Sequence, residues 1–469
     1  MVSLSIKITC RYHWMLPLVF MLCMGCGEGI PIDKTQETTA NATGSKFPDK
    51  IASATIYEAN IRQHTTEGTF NAFAEDLPRL KELGVEVLWI MPIHPIGVKN
   101  RKLPLGSYYS VQDYTEVNPE FGTKIDFQQL VAQAHALDMY VILDWVPNHT
   151  ARDHHWITEH PEYYIKDRQG NITYEKISDE DVWWDTALLN HKNPETRKAM
   201  ITAMAYWVKE MDIDGFRCDH AGHEIPLYFW EEAIAELDQI KDLFWLAEWE
   251  GARMHITFDA TYGWGLLGIS EDIVKGSKTA DDLGQWIEDD MHEYGRDAFR
   301  LTMITNHDKN SWNGTIFERF GHDSHKTFAT LIFTAYGIPM IYGGQEVGMK
   351  NRLKFFEKDH IDWSDPMNLQ AFYAQLVALK SDNPALAAGR FGGITESINQ
   401  DEQVYAFKRV KGSNQVIGIF NLSGDQQALE LTDLSVVGSY QDHFSGTTYD
   451  LSAEPLTLKP WQYLVFVKP

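Results

Sequence analysis

The chain has 469 residues, of which 44 % are hydrophobic and 23 % are charged, a composition that excludes disordered and fibrous proteins. This length suffices for a barrel of roughly 250 residues together with a smaller domain. The net charge of −25 argues against nucleic acid and anionic lipid as ligands and suits a neutral substrate.

The N-terminal segment 1–26 has the pattern of a signal peptide. Lys7 and Arg11 precede an apolar run, Trp14–Met24, that is too short to span a bilayer, and Gly25-Cys26 ends the segment like a bacterial lipobox. We therefore predict an extracytoplasmic protein that contacts a membrane only through a lipid on Cys26, with plain secretion as the alternative. The polar residues 27–50 are predicted to form a flexible linker.

Short β-rich runs then alternate with longer amphipathic runs. The predicted strands are Thr55–Arg62, Val85–Pro92, Tyr140–Val146, Gly215–Asp219, Phe244–Trp249, Ile256–Ala260, Arg300–Thr305 and Pro339–Tyr342. The predicted helices are Phe70–Leu83, Phe127–Leu137, Asn193–Met211, Leu227–Leu237 and Phe328–Tyr336. This alternation predicts an α/β fold, a parallel (β/α)8 TIM barrel over residues 51–382.

Two segments break the alternation. Residues 150–190 are rich in His, Asp, Tyr and Trp and are too long for an ordinary loop, so we predict a short domain inserted after the third strand. Later runs such as Gln403–Arg409, Gln415–Asn421 and Tyr463–Val467 alternate in hydrophobicity and are separated by turn residues. They predict a C-terminal antiparallel β-sandwich domain over residues 383–469.

Polar side chains stand at the ends of several predicted strands. They are Asp144, Asn148 and His149 after the third strand, Arg217 and Asp219 on the fourth, Glu248 on the fifth, and Asn306, His307 and Asp308 after the seventh. The carboxyl ends of barrel strands converge on one mouth, so these residues are predicted to form one site. A single Asp there is equally well explained as a helix N-cap, but the whole set is not.

Glycoside hydrolysis needs such a set, because it uses one ionised carboxylate and one protonated carboxylic acid. Arg217 shares a strand face with Asp219 and is expected to keep that carboxylate ionised. The apolar run Trp245–Ala247 before Glu248 predicts a raised pKa for this glutamate.

The remaining polar residues suit the same chemistry. Asp308 would stabilise an oxocarbenium-like transition state electrostatically. His149 and His307 would donate hydrogen bonds to sugar hydroxyls.

Four ordered segments carry these residues: Asp144–His149, Gly215–Asp219, Trp245–Glu248 and Thr305–Asp308. They resemble the four signatures of the α-amylase family, glycoside hydrolase family 13. Four further segments also resemble motifs of this family: Met91–Gly97, Tyr109–Tyr114, Phe121–Thr123 and Gly337–Glu346. The resemblance covers roughly residues 51–365. It implies that Asp219 is the nucleophile, Glu248 the acid/base and Asp308 the transition-state stabiliser. It also implies a substrate-binding set, Tyr109, Asp144, His149, Arg217, Asn306, His307 and His223.

The chain departs from the family pattern at two places. Gly222-His223 stand where many members have Lys-His in a sugar subsite, which leaves the product pattern open. Leu188 replaces an Asp that often binds structural calcium, and a leucine cannot coordinate a hard cation. We therefore expect that the protein requires no cofactor. Any calcium would have to bind through Asn148. Glu250 shares a strand face with Glu248 and is a competing acid, although the signature selects Glu248.

The resemblance implies a retaining hydrolase of α-1,4-glucosidic bonds in starch, glycogen or maltooligosaccharides, acting through a covalent glycosyl-enzyme. An α-glucosidase or a glucanotransferase on the same scaffold is the nearest alternative, because the sequence poorly separates water from sugar as the acceptor. A non-catalytic glucan-binding protein is the alternative from another class. It predicts binding of α-glucan without turnover.

Overall fold

Eight parallel strands form a closed barrel in the computed structural model, which describes residues 47, 49–179 and 181–468. Numbered β1–β8, they are Ile56–Ala59, Val87–Ile90, Tyr140–Trp145, Gly215–Cys218, Phe244–Ala247, Ala260–Tyr262, Phe299–Thr302 and Ile338–Tyr342. Each strand pairs with its neighbours in chain order, and β1 also pairs with β8. The barrel prediction is confirmed, whereas the predicted signal peptide and nearly all of the linker lie outside the described residues.

Helices connect the strands. The α-helices, α1–α11, are Ile61–His64, Phe70–Ala74, Leu77–Leu83, Lys124–Ala136, Trp156–Glu159, Pro194–Met211, Leu227–Leu237, Trp264–Val274, Ala280–Tyr294, Ile316–Thr334 and Leu369–Asp382. Short 3₁₀ helices span Asp49–Ser53, Pro161–Tyr163, Ala252–Ile256, Gln345–Val347, Pro384–Leu386, Gly389–Phe391 and Leu434–Val436, and a π-helix spans Lys309–Asn313. No helix in the described part of the chain is both long enough and apolar enough to cross a membrane.

Four predicted elements differ from the structure. The strand predicted at Thr55–Arg62 ends at Ala59, because Ile61–His64 is the helix α1. The helix predicted at Phe328–Tyr336 is the second half of α10, which begins at Ile316. The strand predicted at Ile256–Ala260 is wrong, because β6 begins only at Ala260, where pairing with Leu246 of β5 starts. Local β propensity at Ile256 is overridden by this pairing. The helix predicted at Phe70–Leu83 is split into α2 and α3, and Pro78 stands in the first turn of α3, where its missing N–H costs nothing.

The segment between β3 and α6 contains its own small strands. His149–Ala151 pairs antiparallel with Thr186–Leu188, and Glu175–Lys176 pairs with Val182–Trp183. These pairings bring the Trp183 ring to 5.5 Å from His149 and 5.1 Å from His220, measured between ring centroids. The segment therefore contacts residues that follow β3 and β4 at the barrel mouth. The domain limits drawn from the sequence stay predictions.

The C-terminal part is an antiparallel β domain, as predicted. Its main sheet has the strand order Glu396–Ser397, Val404–Lys411, Asn414–Asn421 and Tyr463–Lys468. Two small sheets pair Gln427–Leu429 with Leu456–Leu458 and Gly438–Gln441 with Thr448–Leu451. A separate apolar core that includes Ile417 and Phe466 packs beneath these strands.

Gly215, the first residue of β4, provides a test of the barrel packing. A Cβ at this position would lie 2.1 Å from the Phe244 carbonyl oxygen of the adjacent strand. We expect Gly215→Ala to lower the free energy of unfolding by about 1–3 kcal/mol, since neither backbone can move without breaking the barrel. Thermal unfolding followed by calorimetry measures the effect.

The matched control is Gly268→Ala in helix α8. A Cβ at Gly268 would meet no heavy atom within 4 Å, so the alanine should stabilise the helix by roughly 1 kcal/mol. Equal melting temperatures for the two variants would contradict the predicted packing.

Candidate active site

The centre of the barrel mouth is the guanidinium of Arg217, which is fully buried. Its Nη1 lies 2.8 Å from Asp144 Oδ1 and 3.0 Å from Asp219 Oδ1, and its Nη2 lies 2.8 Å from Glu248 Oε1. Register explains the convergence, because Arg217 on β4 pairs with Asp144 on β3 and with Leu246 on β5. The structure thus brings three of the predicted site residues onto the guanidinium of a fourth.

Backbone contacts fix Glu248, one of the three carboxylates that the sequence assigns to catalysis. The backbone N–H of His220 donates to Glu248 Oε2 over 2.9 Å, and the N–H of Glu248 donates to the Cys218 carbonyl over 2.9 Å. The side chains of Asp219 and Glu248 are 8 % and 12 % exposed, whereas Asp308 is 40 % exposed. Asp308 is therefore the carboxylate that opens most to solvent.

The pKa values of the two buried carboxylates move in opposite directions. Burial and the negative charge of Glu248 raise the pKa of Asp219 well above its ordinary value, although Arg217 opposes the shift. Burial acts to raise the pKa of Glu248 too, but the positive charge of Arg217 and the hydrogen bond from the His220 backbone N–H outweigh it and the pKa is lowered. The sequence-based expectation was the reverse, and it is wrong here because Arg217 reaches Glu248 as closely as it reaches Asp219.

A second set of polar contacts at the barrel mouth connects Asp144 to Glu58 on β1 through Tyr109 and His307. The Tyr109 hydroxyl donates to Asp144 Oδ2 over 3.1 Å, and His307 Nε2 lies 2.8 Å from the same hydroxyl. The other ring nitrogen of His307 forms a short ion pair with Glu58. Burial alone would lower the pKa of His307, but the carboxylates of Asp308 and Glu58 raise it to about 9. His307 is therefore a cation that donates from both ring nitrogens near neutral pH.

Three residues of this network were missed by the sequence analysis. Glu58 is fully buried in β1, Trp89 Nε1 donates to Asp144 Oδ2 over 3.1 Å, and Arg217 Nε donates to the Tyr262 hydroxyl over 3.2 Å. Glu58 carried a usable signal, because a carboxylate inside an otherwise apolar strand needs a buried partner. Trp89 and Tyr262 carried none, since an aromatic residue in a strand is usually core.

Two predicted substrate-binding residues have other partners. His149 is fully buried and donates from Nε2 to the Tyr109 carbonyl over 3.1 Å, and burial lowers its pKa to about 3. A neutral imidazole has one N–H, so His149 has no donor left for a sugar hydroxyl and instead positions Tyr109. Asn306 is also buried, and its Oδ1 accepts from the backbone N–H of Lys309 over 2.8 Å.

His223 lies at the rim, with Nε2 3.5 Å from Glu175 Oε1. The neighbouring Gly222 packs beneath Trp249, and a Cβ at position 222 would lie within 2.4–2.5 Å of three atoms at the centre of the indole. Only glycine lets the face of the Trp249 indole pack directly against the backbone at position 222. This explains why the lysine that many family members have at this position is absent here. Trp249, which immediately follows Glu248 in the chain, is 37 % exposed.

Glu250, the competing acid, belongs to a different cluster. Arg300 Nη2 donates to Glu250 Oε1 over 2.6 Å, and the N–H of Gly265 at the start of α8 donates to its other oxygen over 3.0 Å. Of the two glutamates after β5, only Glu248 is paired with Arg217 in the described contacts.

Comparisons with known proteins point to one family. The α-amylase catalytic-domain family model matches residues 39–227 and 270–388, more than half of the chain. An "Alpha-amylase 2" of Dictyoglomus thermophilum is 26 % identical over 421 residues, which cover 84 % of this chain and 70 % of that one. A cyclomaltodextrin glucanotransferase of Geobacillus stearothermophilus is 28 % identical over 418 residues, covering 78 % of this chain and 56 % of that one.

The fold comparison gives the same family. The crystal structure of a noncanonic maltogenic alpha-amylase from Thermotoga neapolitana superposes with a TM-score of 0.81 at 28 % identity, covering 89 % of this chain and 99 % of the other. The sequence signatures, the barrel and these matches agree: the chain is an enzyme of the α-amylase family, glycoside hydrolase family 13.

Proposed function

We propose that this enzyme hydrolyses α-1,4-glucosidic bonds of starch, glycogen or maltooligosaccharides with retention of anomeric configuration. The observation that carries the proposal is the shared guanidinium of Arg217, which holds Asp219 and Glu248 side by side at the barrel mouth. Retaining hydrolysis needs two such carboxyl groups flanking one bond. The exposed Asp308 stands at the same mouth, one residue after His307.

In the proposed mechanism, Asp219 attacks the anomeric carbon while Glu248 gives a proton to the leaving oxygen. Glu248 then removes a proton from water, which attacks the same carbon and releases Asp219. The chemistry requires the proton on Glu248, whereas the contacts described above favour it on Asp219. If substrate binding breaks the contact between Glu248 and Arg217, the largest effect that lowers the pKa of Glu248 is removed and the proton moves toward Glu248.

The other residues of the mouth would act on the sugar that is attacked. Tyr109 presents a ring that stacks on His307 at 5.6 Å and on Phe355 at 6.2 Å, which makes a flat wall for the sugar. Both N–H groups of His307 already have acceptors, Glu58 and the Tyr109 hydroxyl, so His307 would hold Tyr109 in place and would donate to a sugar hydroxyl only by releasing it. Asp308 would stabilise positive charge that develops on the ring in the transition state.

A glucanotransferase is the second candidate, and Trp249 is the observation that favours it. Glu248 protonates the leaving group, so the indole beside it lies on the leaving-group side of the cleft. An exposed aromatic face there suits a bound sugar, and a bound sugar competes with water for the glycosyl-enzyme. The product pattern therefore decides between hydrolysis and transfer.

We propose that the enzyme requires no calcium, either for stability or for catalysis. The Asn148 side-chain amide already donates from Nδ2 to Glu175 Oε2 over 2.8 Å, and Leu188 pairs with His149 in the adjacent strand. A hard cation needs several oxygen ligands, and these residues do not supply them. The protein is further proposed to act outside the cytoplasm, from the signal pattern of residues 1–26.

The catalytic assignment predicts that Asp219→Asn and Glu248→Gln each lower kcat on maltoheptaose by at least about a thousandfold, as removal of a nucleophile or an acid does. The measurement is proton NMR of the anomeric signals directly after mixing with the full-length protein. Fresh α-anomer from the wild type would establish retention, and longer products would establish transfer.

Glu250→Gln is the matched control, because it removes the same charge two residues away from Glu248. We expect this variant to keep turnover within about tenfold, since Glu250 pairs with Arg300. If Glu250→Gln abolished activity and Glu248→Gln did not, the assignment of the acid would be reversed. Glucan binding without turnover by the wild type would instead identify a non-catalytic binding protein.

The Glu58–His307 pair predicts a pH effect. Folding raises the pKa of His307 to about 9, so its contribution to stability is complete below the unfolded value of about 6.5 and is lost as pH rises through about 9. Glu58→Gln removes one of the two carboxylates that raise this pKa. The melting temperature should then depend less on pH above 6.5, and the alkaline limb of kcat/KM should move to lower pH.

Glu67→Gln, at an exposed position, is the control for this experiment and should leave both profiles unchanged. An NMR titration of the His307 ring gives the pKa directly. An unchanged His307 pKa in Glu58→Gln would show that the pair is not the cause.

The metal proposal predicts that a chelator leaves the enzyme intact. Dialysis against excess EDTA should change the melting temperature by less than about 1 °C, because a ligand that binds only the folded state raises stability in proportion to its occupancy. A drop in melting temperature that added calcium restores would refute the proposal.

A further inference from the structure

A cavity of about 490 Å³ lies away from the Arg217 cluster, between helix α6 and the segment inserted after β3. This volume is within the roughly 300–1,000 Å³ of small-molecule sites. It shares no lining residue with the catalytic groups described above. The proposed mechanism gives it no role.

Helix α6 supplies one wall of the cavity. Glu195, Lys198, Thr202 and Tyr206 follow one another at spacings of three and four residues, so they lie on one side of the helix. Trp156 and Tyr163 form the opposite wall, with their rings 5.5 Å apart in an edge-to-face arrangement. The cavity is a groove between these two walls. Trp156 and Tyr163 are each 8 % exposed, so only a small part of each ring faces the groove.

Several charged groups of the groove have no partner within the described residues. The carboxylate of Glu195 and the ammonium of Lys198 form no hydrogen bond or ion pair there. Asp113 Oδ1 accepts from Thr115, over 2.8 Å from the backbone N–H and 2.9 Å from the hydroxyl, but its Oδ2 accepts from none of the described groups. Two carboxylates and one ammonium are therefore available to a ligand.

His154 adds a buried donor to the same lining. Its side chain is nearly inaccessible, and its Nδ1 accepts from the backbone N–H of Trp156 over 3.1 Å. Burial lowers the pKa of His154 to about 3, so the neutral ring carries its only proton on Nε2. That N–H has no acceptor among the described residues.

This combination defines the ligand chemistry. An anion can only accept hydrogen bonds and would face two carboxylates, and a cation can only donate and would face Lys198. A hydroxyl both donates and accepts, so a polyhydroxylated neutral molecule can use the carboxylates, Lys198 and His154 together. The exposed parts of the aromatic side chains add apolar surface beside these groups, which suits the apolar face of a sugar.

We propose that this groove is a second carbohydrate site, which holds a short stretch of α-glucan apart from the catalytic carboxylates. The identity of the sugar rests on the proposed function. A long polysaccharide occupies both sites at once and gains affinity from the second contact, whereas a short oligosaccharide occupies the catalytic cleft alone.

Thr202→Trp tests the site, because residue 202 is exposed on α6 and an indole there fills the groove. In gel retardation by glycogen, we expect the full-length variant to show a dissociation constant at least about fivefold above that of the wild type. The matched control, Thr202→Ala, should bind glycogen like the wild type. Both variants should hydrolyse maltotriose with kcat/KM within about twofold of the wild type.

Equal retardation of Thr202→Trp and the wild type would overturn the site, and so would a wild type that glycogen does not retard. Wild-type retardation that the indole abolishes, without hydrolysis of any α-glucan, would leave the site standing and refute the proposed function. Melting temperatures check that each variant is folded. If Thr202→Trp is unstable, the exposed pair Glu195→Gln and Lys198→Ala replaces it, with the same loss expected.

Discussion

The mouth of this barrel depends on one buried cation. Burying a guanidinium costs several kcal/mol unless it is paired and hydrogen-bonded. Arg217 forms ion pairs with Asp144, Asp219 and Glu248. It donates hydrogen bonds to Asp144, Asp219 and the Tyr262 hydroxyl. The ring of Trp89, 4.8 Å from the guanidinium carbon, covers one side. Since the three carboxylates arise from three adjacent strands, the pairing also fixes where those strands end relative to one another.

Much of this arrangement could be predicted from the sequence, for a physical reason. Charged residues at the ends of apolar strands are costly, and Asp144, Arg217, Asp219 and Glu248 recur at intervals that match βα units. The sequence analysis did not predict correctly which of Asp219 and Glu248 carries the proton, because this depends on the distances of the two carboxylates from Arg217. The local run Trp245–Ala247 carries no information about those distances.

Positioning residues were harder to recognise than charged ones. His149 stands in a catalytic signature, yet it acts on the Tyr109 backbone rather than on the cleft. Glu58 sits outside the four signatures and still sets the charge of His307. The strand error at Ile256–Ala260 has a similar origin, since pairing with β5 and not local propensity decides where β6 begins. Each case involves a partner distant in sequence.

The packing of Gly222 beneath Trp249 has an evolutionary consequence. A lysine introduced at position 222 would collide with the indole, so it becomes tolerable only after residue 249 has become smaller. If Trp249 is replaced first by a smaller residue, the gap that the indole leaves can accept a lysine at position 222. Descendants of this chain can therefore reach the lysine-bearing form of the family by one mutational order and not by the other.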